Sequence, residues 1–262
     1  MKSQLTDMVV ISAEESSDRI HSLAHSSSAH PALKNDFYRL WMAEPLSADE
    51  VELVARNFYA RVRRTPDRIA LAFLYMDDLT ARAETVANLS DEMGHGDPNK
   101  VHSVLLRQFF ETLLSRLRGR NVGFAEVEGP LLPSTEQLIE DGQKLFSSPY
   151  PQEASGALIA QEWHAYPQLV YLYEGVRNYR QYFGLEEFHE CCEYFYLHIG
   201  ATEKQHKLQA LSTAARACRT EADFAHLERG FHTYLDLLAN NWAEIYAAIQ
   251  RARAMGAPTR VG

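Results

Sequence analysis

The sequence predicts an all-α fold for its 262 residues. Apolar residues recur along most of the chain at the spacing of a helix with one buried face. No stretch alternates apolar and polar residues as a half-buried strand does, and no turn dipeptides separate β-branched segments. With 46% hydrophobic residues, the chain can bury a sizeable core. We expect one helical domain over residues 32–255, preceded by an N-terminal arm at residues 1–31 and followed by a tail at residues 256–262.

Local signals predict the helix boundaries in the first half of the chain. Residues 1–31 are rich in Ser and His with little periodicity, so an arm or at most a short helix is expected there. Ser47 and Glu50 have the spacing of a capping box. Asp97 and Pro98 suit the cap and first turn of a helix that follows a glycine-containing break. The expected helices are Leu33 to Ala43, Ser47 to Arg64, one that starts at Thr65, Asp78 to Met93, and Asp97 to Arg118.

The second half of the chain has longer helical patterns after a connector at residues 119–133. Ser134 to Gln137 resembles another capping box, and Thr220 to Asp223 suits a cap for the last helix. Pro167 is expected to interrupt or kink the helix that contains it. The expected helices are Ser134 to Phe146, Pro151 to Gly175, Leu185 to Cys218, and a last helix that runs to Arg253.

Composition excludes several classes of protein. A net charge of −9 argues against nucleic-acid binding, which needs a basic stripe on the surface. No apolar run approaches the roughly 20 residues of a membrane span, and the N-terminus lacks the pattern of a signal peptide. Three cysteines make an odd set in which Cys191 and Cys192 are neighbours, so a disulfide framework is not expected. These features predict a soluble protein of the reducing cytoplasm, without membrane or nucleic-acid partners.

Three stretches carry residues that can bind metal ions. The six candidate ligands are Glu92, His102, Glu162, His198, Glu203 and His206. Carboxylates and imidazoles from separate helices can converge on a metal ion, and helical bundles use the Glu-x-x-His spacing for this purpose. His95 competes with His102, since it stands three residues after Glu92, but it lies between two glycines of the expected break. Glu162 lies in an apolar run, where a carboxylate needs a metal or a salt bridge, for example to Arg177 or Arg180.

The three stretches also share motifs with a known family. The matching residues are Asn88, Leu89, Glu92, Gly94, Gly96 and His102 in the first stretch, Glu162 and Pro167 in the second, and Phe195, His198, Glu203 and His206 in the third. In these motifs the chain resembles the haem-oxygenase-like di-iron oxidase and oxygenase family over roughly residues 50–210. The resemblance implies a haem-oxygenase-like multi-helical bundle. It also implies that the six candidate ligands hold two iron ions, with O2 as co-substrate.

The third stretch departs from the family pattern by one residue. The family places the acid four residues and the second His seven residues after the first His, but these positions are Thr202 and Gln205. Glu203 and His206 each come one residue later than the family pattern. On an ideal helix this places Glu203 about 140° around the axis from His198. A π-bulge near Gly200 would restore the register. Otherwise His198 is not a ligand, or the helix is locally unwound.

The resemblance implies a non-haem di-iron enzyme that activates O2 through a peroxo di-ferric state. We expect it to oxidise an amino-acid-type small molecule by N-oxygenation, desaturation or C–C cleavage, with an electron donor as a second partner. A homodimer is one assembly that the sequence allows. The alternatives are oxidative decarboxylation of a fatty acid, a metal-free thiaminase-like or cofactor-free enzyme that uses Cys191 or Cys192, and a non-catalytic protein in which the acids and histidines form buried pairs.

Overall fold

A computed structural model describes residues 9–256 of the chain, with the side chains of residues 201–206 left out. The described residues form α-helices, short 3₁₀ segments and one isolated antiparallel bridge between Val10 and Thr220. No helix within them is long and apolar enough to cross a membrane. The helices are α1 (Ala13–Ser26), α2 (Asp36–Ala43), α3 (Ala48–Val62), α4 (Thr65–Leu74), α5 (Leu79–Glu92), α6 (His102–Arg118), α7 (Phe124–Val127), α8 (Pro133–Phe146), α9 (Pro151–Val176), α10 (Leu185–Cys191), α11 (Glu193–Ile199), α12 (Ala201–Ala217) and α13 (Glu221–Gly256).

Two of the expected helix caps are present. The Ser47 hydroxyl accepts a hydrogen bond from the Glu50 amide at 3.3 Å, and the Glu50 carboxylate accepts one from the Ser47 amide at 2.7 Å. Thr220 and Asp223 exchange the same pair of bonds at the start of α13, at 3.1 and 2.9 Å. Each pair satisfies amides that the first helical turn leaves free.

Three predicted boundaries are wrong. Helix α8 begins at Pro133, and the Ser134 amide donates to the Glu244 carboxylate instead of forming a cap. Helix α6 begins at His102, because the Asp97 side chain accepts from the Asn99 amide and closes a turn there. The helix expected from residue 185 to 218 is three helices, α10 to α12, with breaks after α10 and α11. The interruption that was one expectation for Pro167 is not seen, since this residue lies inside helix α9, which is unbroken.

The N-terminal segment is more ordered than the sequence predicts. Residues 13–26 form the 14-residue helix α1, which buries Ile20, Leu23 and Ala24. The Ser16 hydroxyl is buried and donates to the Cys218 carbonyl at 3.0 Å. The many Ser and His residues dilute the apolar periodicity of this helix, since a narrow apolar stripe is enough to attach it to the bundle.

Helices α9 and α13 form the central pair of the bundle and pass through two separate clusters of buried apolar side chains. One cluster includes Leu169 and Leu172 of α9, and the other includes Leu158 and Ile159. Between these positions α9 carries four buried polar residues, here called the polar layer: Gln161, Glu162, His164 and Gln168. The candidate metal ligand Glu162 therefore lies at the boundary between two apolar cores.

The central helices pack closely because each places a glycine against the backbone of the other. A Cβ atom added to Gly156 of α9 would lie 2.0 Å from the Leu227 carbonyl oxygen. One added to Gly230 of α13 would lie 2.0 Å from the Glu153 carbonyl oxygen. Neither helix can accept a larger residue at these positions unless the pair moves apart.

We expect the substitution Gly156→Ala to lower the free energy of unfolding by about 1–3 kcal/mol, the usual range for overpacking a core. Gly142→Ala in α8 is the matched control, because the nearest neighbour of its added Cβ would be Tyr234 Cε2 at 3.8 Å. The control should gain up to about 1 kcal/mol from helix propensity. Urea unfolding followed by circular dichroism measures both changes. Equal effects of the two substitutions would contradict the close packing.

Candidate metal centre

Three of the predicted ligands lie together in the structure. Glu92, His102 and His198 each offer one ligand atom, and these atoms are all within 4.8 Å of one another. Both histidines are buried and Glu92 is half-buried. Atoms that share one ion at about 2.1 Å are roughly 3–4 Å apart, so small side-chain movements would close this set around a cation.

A tight turn brings Glu92 and His102 together, although ten residues separate them. Glu92 ends α5, His102 begins α6, and the turn between them starts at Gly94. Gly94 has a φ of 66°, and a Cβ there would lie 2.6 Å from the Lys100 carbonyl carbon. Only glycine fits this close return of the chain. As a result, Glu92 Oε2 lies 3.4 Å from His102 Nδ1.

His198 is positioned by the backbone of its own helix. Its Nδ1 atom donates to the Tyr194 carbonyl at 2.7 Å, since a carbonyl can only accept. This bond leaves Nε2 for a metal, as is usual for a histidine ligand. Burial, followed by the charge of His102, lowers the pKa of His198 to about 4. His198 is therefore neutral at pH 7, the form in which imidazole binds metal.

His102 has an unmet bonding capacity that suits a cation. Its Nδ1 atom is buried and makes no hydrogen bond of good geometry to a described residue, although it faces Glu92. Its ring lies edge-to-face with the His198 ring, with centroids 4.5 Å apart. Burial lowers the pKa of His102, but contact with the Glu92 carboxylate raises it by more, and the net shift is upward. Two imidazoles and a carboxylate are ligands that iron accepts, so these residues fit such an ion.

Glu162 lines the same cavity as Glu92 and His198. Its carboxylate accepts hydrogen bonds from the Asn88 amide at 3.2 Å and the Gln161 amide at 3.5 Å. Burial, followed by the charge of Glu92, raises the pKa of Glu162 to about 7. Two carboxylates in one cavity repel each other, and a metal ion would relieve this repulsion.

The predicted ligands Glu203 and His206 lie in α12, but their side chains are outside the described residues. The backbone before them is informative. Helix α11 ends at Ile199, and Gly200 is extended with φ −76° and ψ −171° before α12 begins. The chain is thus locally unwound at Gly200, which is one of the alternatives for the register shift, and no π-bulge is present there.

The structure also answers two questions about neighbouring residues. His95 has a 72% exposed side chain that pairs with Asp91, so it is His102 that lies beside Glu92. Arg177 pairs with Glu174, and none of the hydrogen bonds of Glu162 within the described residues comes from an arginine. That Glu92, His102, Glu162 and His198 bind a metal stays a prediction.

Sequence reasoning missed the other polar side chains of this cavity. Arg61 and Arg68 line it, together with Gln161, His164 and Gln168 of the polar layer. A signal for Arg61 does exist in the sequence. Arg61 follows Val54 and Phe58 at helical spacing, and both of these are buried in α3. A charged residue in such an apolar stripe indicates a buried polar site.

The fold is similar to those of known structures. A CADD-like protein of unknown function from Nostoc punctiforme has a TM-score of 0.71 at 16% identity, covering 89% of this chain and 98% of that protein. A domain of unknown function with a haem-oxygenase-like fold from Shewanella denitrificans has a TM-score of 0.62 at 14% identity, covering 96% and 99%. At these identities the similarity concerns the fold alone. It confirms the predicted all-α, haem-oxygenase-like bundle.

Two sequence matches extend this result. The chain is 27% identical over 154 residues to a 4-aminobenzoate synthase from Chlamydia pneumoniae. The matched region spans 58% of this chain and 63% of that protein. A sequence model described as an iron-containing redox enzyme matches residues 52–239, a range that includes all six candidate ligands. Since this match covers most of the chain, the protein belongs to the iron-containing redox enzyme family.

Proposed function

We propose that the protein is a non-haem di-iron oxygenase or oxidase that oxidises an amino-acid-type small molecule. The observation that carries this proposal is the buried cluster of Glu92, His102 and His198, with Glu162 lining the same cavity. In an iron-containing redox family, a buried site with two imidazoles and two carboxylates fits iron better than a structural role. Glu203 and His206 would complete the set for a second ion.

Bound iron would supply the electrons and the Lewis acidity that reduction of O2 requires. The residues of the chain would hold and orient it. The Tyr194 carbonyl fixes the His198 ring, and the Asn88 amide holds one oxygen of Glu162. Val62 and Leu169 also line the cavity and would limit access of water to the reacting atoms. An external electron donor is part of the proposal, because no second cofactor is implied.

The lining of the cavity favours a polar substrate over a fatty acid. Its volume is about 50 Å³, and it is lined by Arg61, Arg68 and the polar layer. A long alkyl chain would need an apolar channel. One relative is named for the synthesis of 4-aminobenzoate, an aromatic amino acid, and such a compound belongs to the same polar class.

A metal-free cysteine enzyme is less well supported. Contact with Cys191, followed by burial, raises the pKa of Cys192, and burial raises the pKa of Cys218 to about 12. Both of these thiols are buried, and a protonated thiol is a poor nucleophile. Cys191 is half-buried, and its thiol donates to the Phe188 carbonyl at 3.4 Å. The Nδ1 atom of His102, which faces Glu92 without a hydrogen bond of good geometry among the described residues, also fits a cation that binds beside it.

Metal analysis combined with oxygen uptake tests the proposal. Protein made in iron-supplemented medium should contain about two iron ions per chain, because the six candidate ligands suit two ions. Addition of Fe(II) without oxygen, followed by O2, should produce a transient visible absorption band. An oxygen electrode should then detect consumption that depends on one of a panel of free amino acids. Folded protein that takes up no iron would contradict the proposal, and oxygen uptake only with fatty acids would redirect it.

A further inference from the structure

Two arginines are buried beside the candidate metal centre, and neither has an acidic partner among the described residues. Arg61 and Arg68 are each 4% exposed. In the described part of the chain, their side-chain hydrogen bonds go to neutral oxygens. Arg61 donates to the Gln168 side chain at 2.7 Å, and Arg68 donates to Gln161, to Thr65 and to the Arg61 carbonyl at 2.9, 3.1 and 3.2 Å. Two like charges thus lie close together in the interior.

The bonding capacity of Arg61 is not used up by these contacts. Its Nε atom is buried and has no hydrogen-bond partner among the described residues. Its guanidinium lies 4.8 and 4.9 Å from the ring centroids of Phe58 and Trp242, which hold it in place but do not neutralise it. Burial lowers the pKa of Arg61, and the charge of Arg68 also acts in that direction. The guanidinium nevertheless stays protonated, as arginine does in proteins.

The polar layer is arranged to face this pair. Gln161, His164 and Gln168 recur at helical spacing on one side of α9. Gln161 and Gln168 lie about 10 Å apart along the helix axis, and they accept hydrogen bonds from Arg68 and Arg61 respectively. His164 Nε2 is buried and has no hydrogen-bond partner in the part of the chain that the structure describes. Burial, followed by the charge of Arg61, holds the pKa of His164 well below its usual value, so it adds no charge of its own.

Buried charges are normally paired, and a buried donor without an acceptor is unfavourable. An anion in the cavity would satisfy Arg61 and neutralise one of the two guanidinium charges. The cavity of about 50 Å³ has room for roughly three to five water-sized groups, at roughly 10–15 Å³ each. A carboxylate group has three heavy atoms, and it matches the planar fork of an arginine.

We propose that Arg61 and Arg68, supported by Gln161 and Gln168, bind the carboxylate of the substrate and thereby place its neighbouring atoms next to Glu92, Glu162 and His198. The assignment of this carboxylate to a substrate depends on the function proposed above. The anion site itself does not depend on that function, because it rests on two buried arginines that have only neutral acceptors among the described residues.

Thermal unfolding of the full chain at constant ionic strength tests the proposal. Acetate and L-alanine are the probes. Acetamide and L-alaninamide are the matched controls, because in each of them an amide replaces the carboxylate. Both carboxylates should raise the Tm with increasing concentration, and each amide should bind at least about tenfold more weakly. The effect should persist after iron is removed with a chelator, because the arginines and not the metal hold the carboxylate. No rise with either carboxylate, or equal effects of the amides, would overturn the proposal.

The substitution Gln168→Glu provides the sharpest variant. It places a permanent carboxylate at the atom that now lies 2.7 Å from Arg61, so the fold should be retained while the site is filled from within. The carboxylate-dependent rise in Tm should fall at least about tenfold in this variant. Gln143→Glu makes the same change at an exposed position of α8 and should respond as the unaltered protein does. Unchanged acetate binding in Gln168→Glu would overturn the proposal.

Two further results separate this inference from the proposed function. Inorganic phosphate is tested beside acetate, and equally tight binding would show a general anion site instead of a carboxylate site. Iron content is measured in the same samples, and Gln168→Glu should keep it. A chain that binds acetate but no iron would refute the di-iron function and leave the anion site standing. A chain that binds iron but no carboxylate would refute the anion site and leave the di-iron function standing.

Discussion

Replacement of His102 or His198 by alanine is expected to reduce bound iron to less than about one tenth and substrate-dependent oxygen consumption by about 100-fold or more. Both rings are buried, and their ligand atoms lie within 4.8 Å of each other and of a carboxylate oxygen of Glu92. Each substitution therefore removes one member of a compact set of ligands. The helical circular dichroism should be largely retained, because the apolar clusters do not depend on these rings. Iron analysis and an oxygen electrode measure the two losses.

His95→Asn is the control for these substitutions. His95 lies two residues before Asp97 in the same turn, is 72% exposed at its side chain and has a φ of 52°, which asparagine tolerates. The control should keep its iron and its activity. If His95→Asn lost the iron while His102→Ala kept it, the assignment of the ligand at the start of α6 would be wrong.

Glu162→Gln should change how the stability of the metal-free protein depends on pH. The pKa of Glu162 is raised to about 7 by burial and by the charge of Glu92, from a usual value of 4.5. Because the pKa is higher in the folded state, the contribution of Glu162 to the free energy of unfolding is fully present below about pH 4.5. This contribution is lost as the pH rises through about 7. The loss is about 3 kcal/mol by pH 8 for this shift. Urea unfolding at pH 5 and pH 8 measures the difference.

The neutral side chain of Glu162→Gln should remove this loss, so the variant becomes more stable than the unaltered metal-free protein at pH 8 and about equal to it at pH 5. Glu140→Gln, at an exposed position in α8, should show no such difference. Glu162→Gln should also bind less iron, since an amide is a weaker ligand than a carboxylate. A Glu162→Gln protein that unfolds at both pH values would instead support a purely structural role for this side chain.

Sequence signals predicted local features of the fold better than distant ones. The capping pairs at Ser47 and Thr220 involve residues three apart, so their chemistry is visible in a short window. The pattern at Asp97 failed because the turn that starts at Gly94 delays the next helix until His102. The break between α10 and α11 also escaped prediction, whereas the unwinding at Gly200 was one of the alternatives for the register shift after His198.

The candidate site was predictable to the extent that its chemistry is rare in a helical core. Glu92, His102, Glu162 and His198 combine few residue types at helix ends and in an apolar run, and the structure brings them to one region. The arginines of the cavity were not predicted. Most arginines are exposed, and the neutral partners of Arg61 and Arg68 lie up to 107 residues away in sequence, where no local pattern reveals them.

The polar layer of α9 also has a consequence for the precision of the site. Helices α9 and α13 run unbroken through the apolar clusters on both sides of this layer, so its side chains are flanked by packed cores and not by loops. Side chains carried by such helices are held more precisely than side chains carried by loops. The two cores therefore act as a rigid frame for Glu162 and its neighbours.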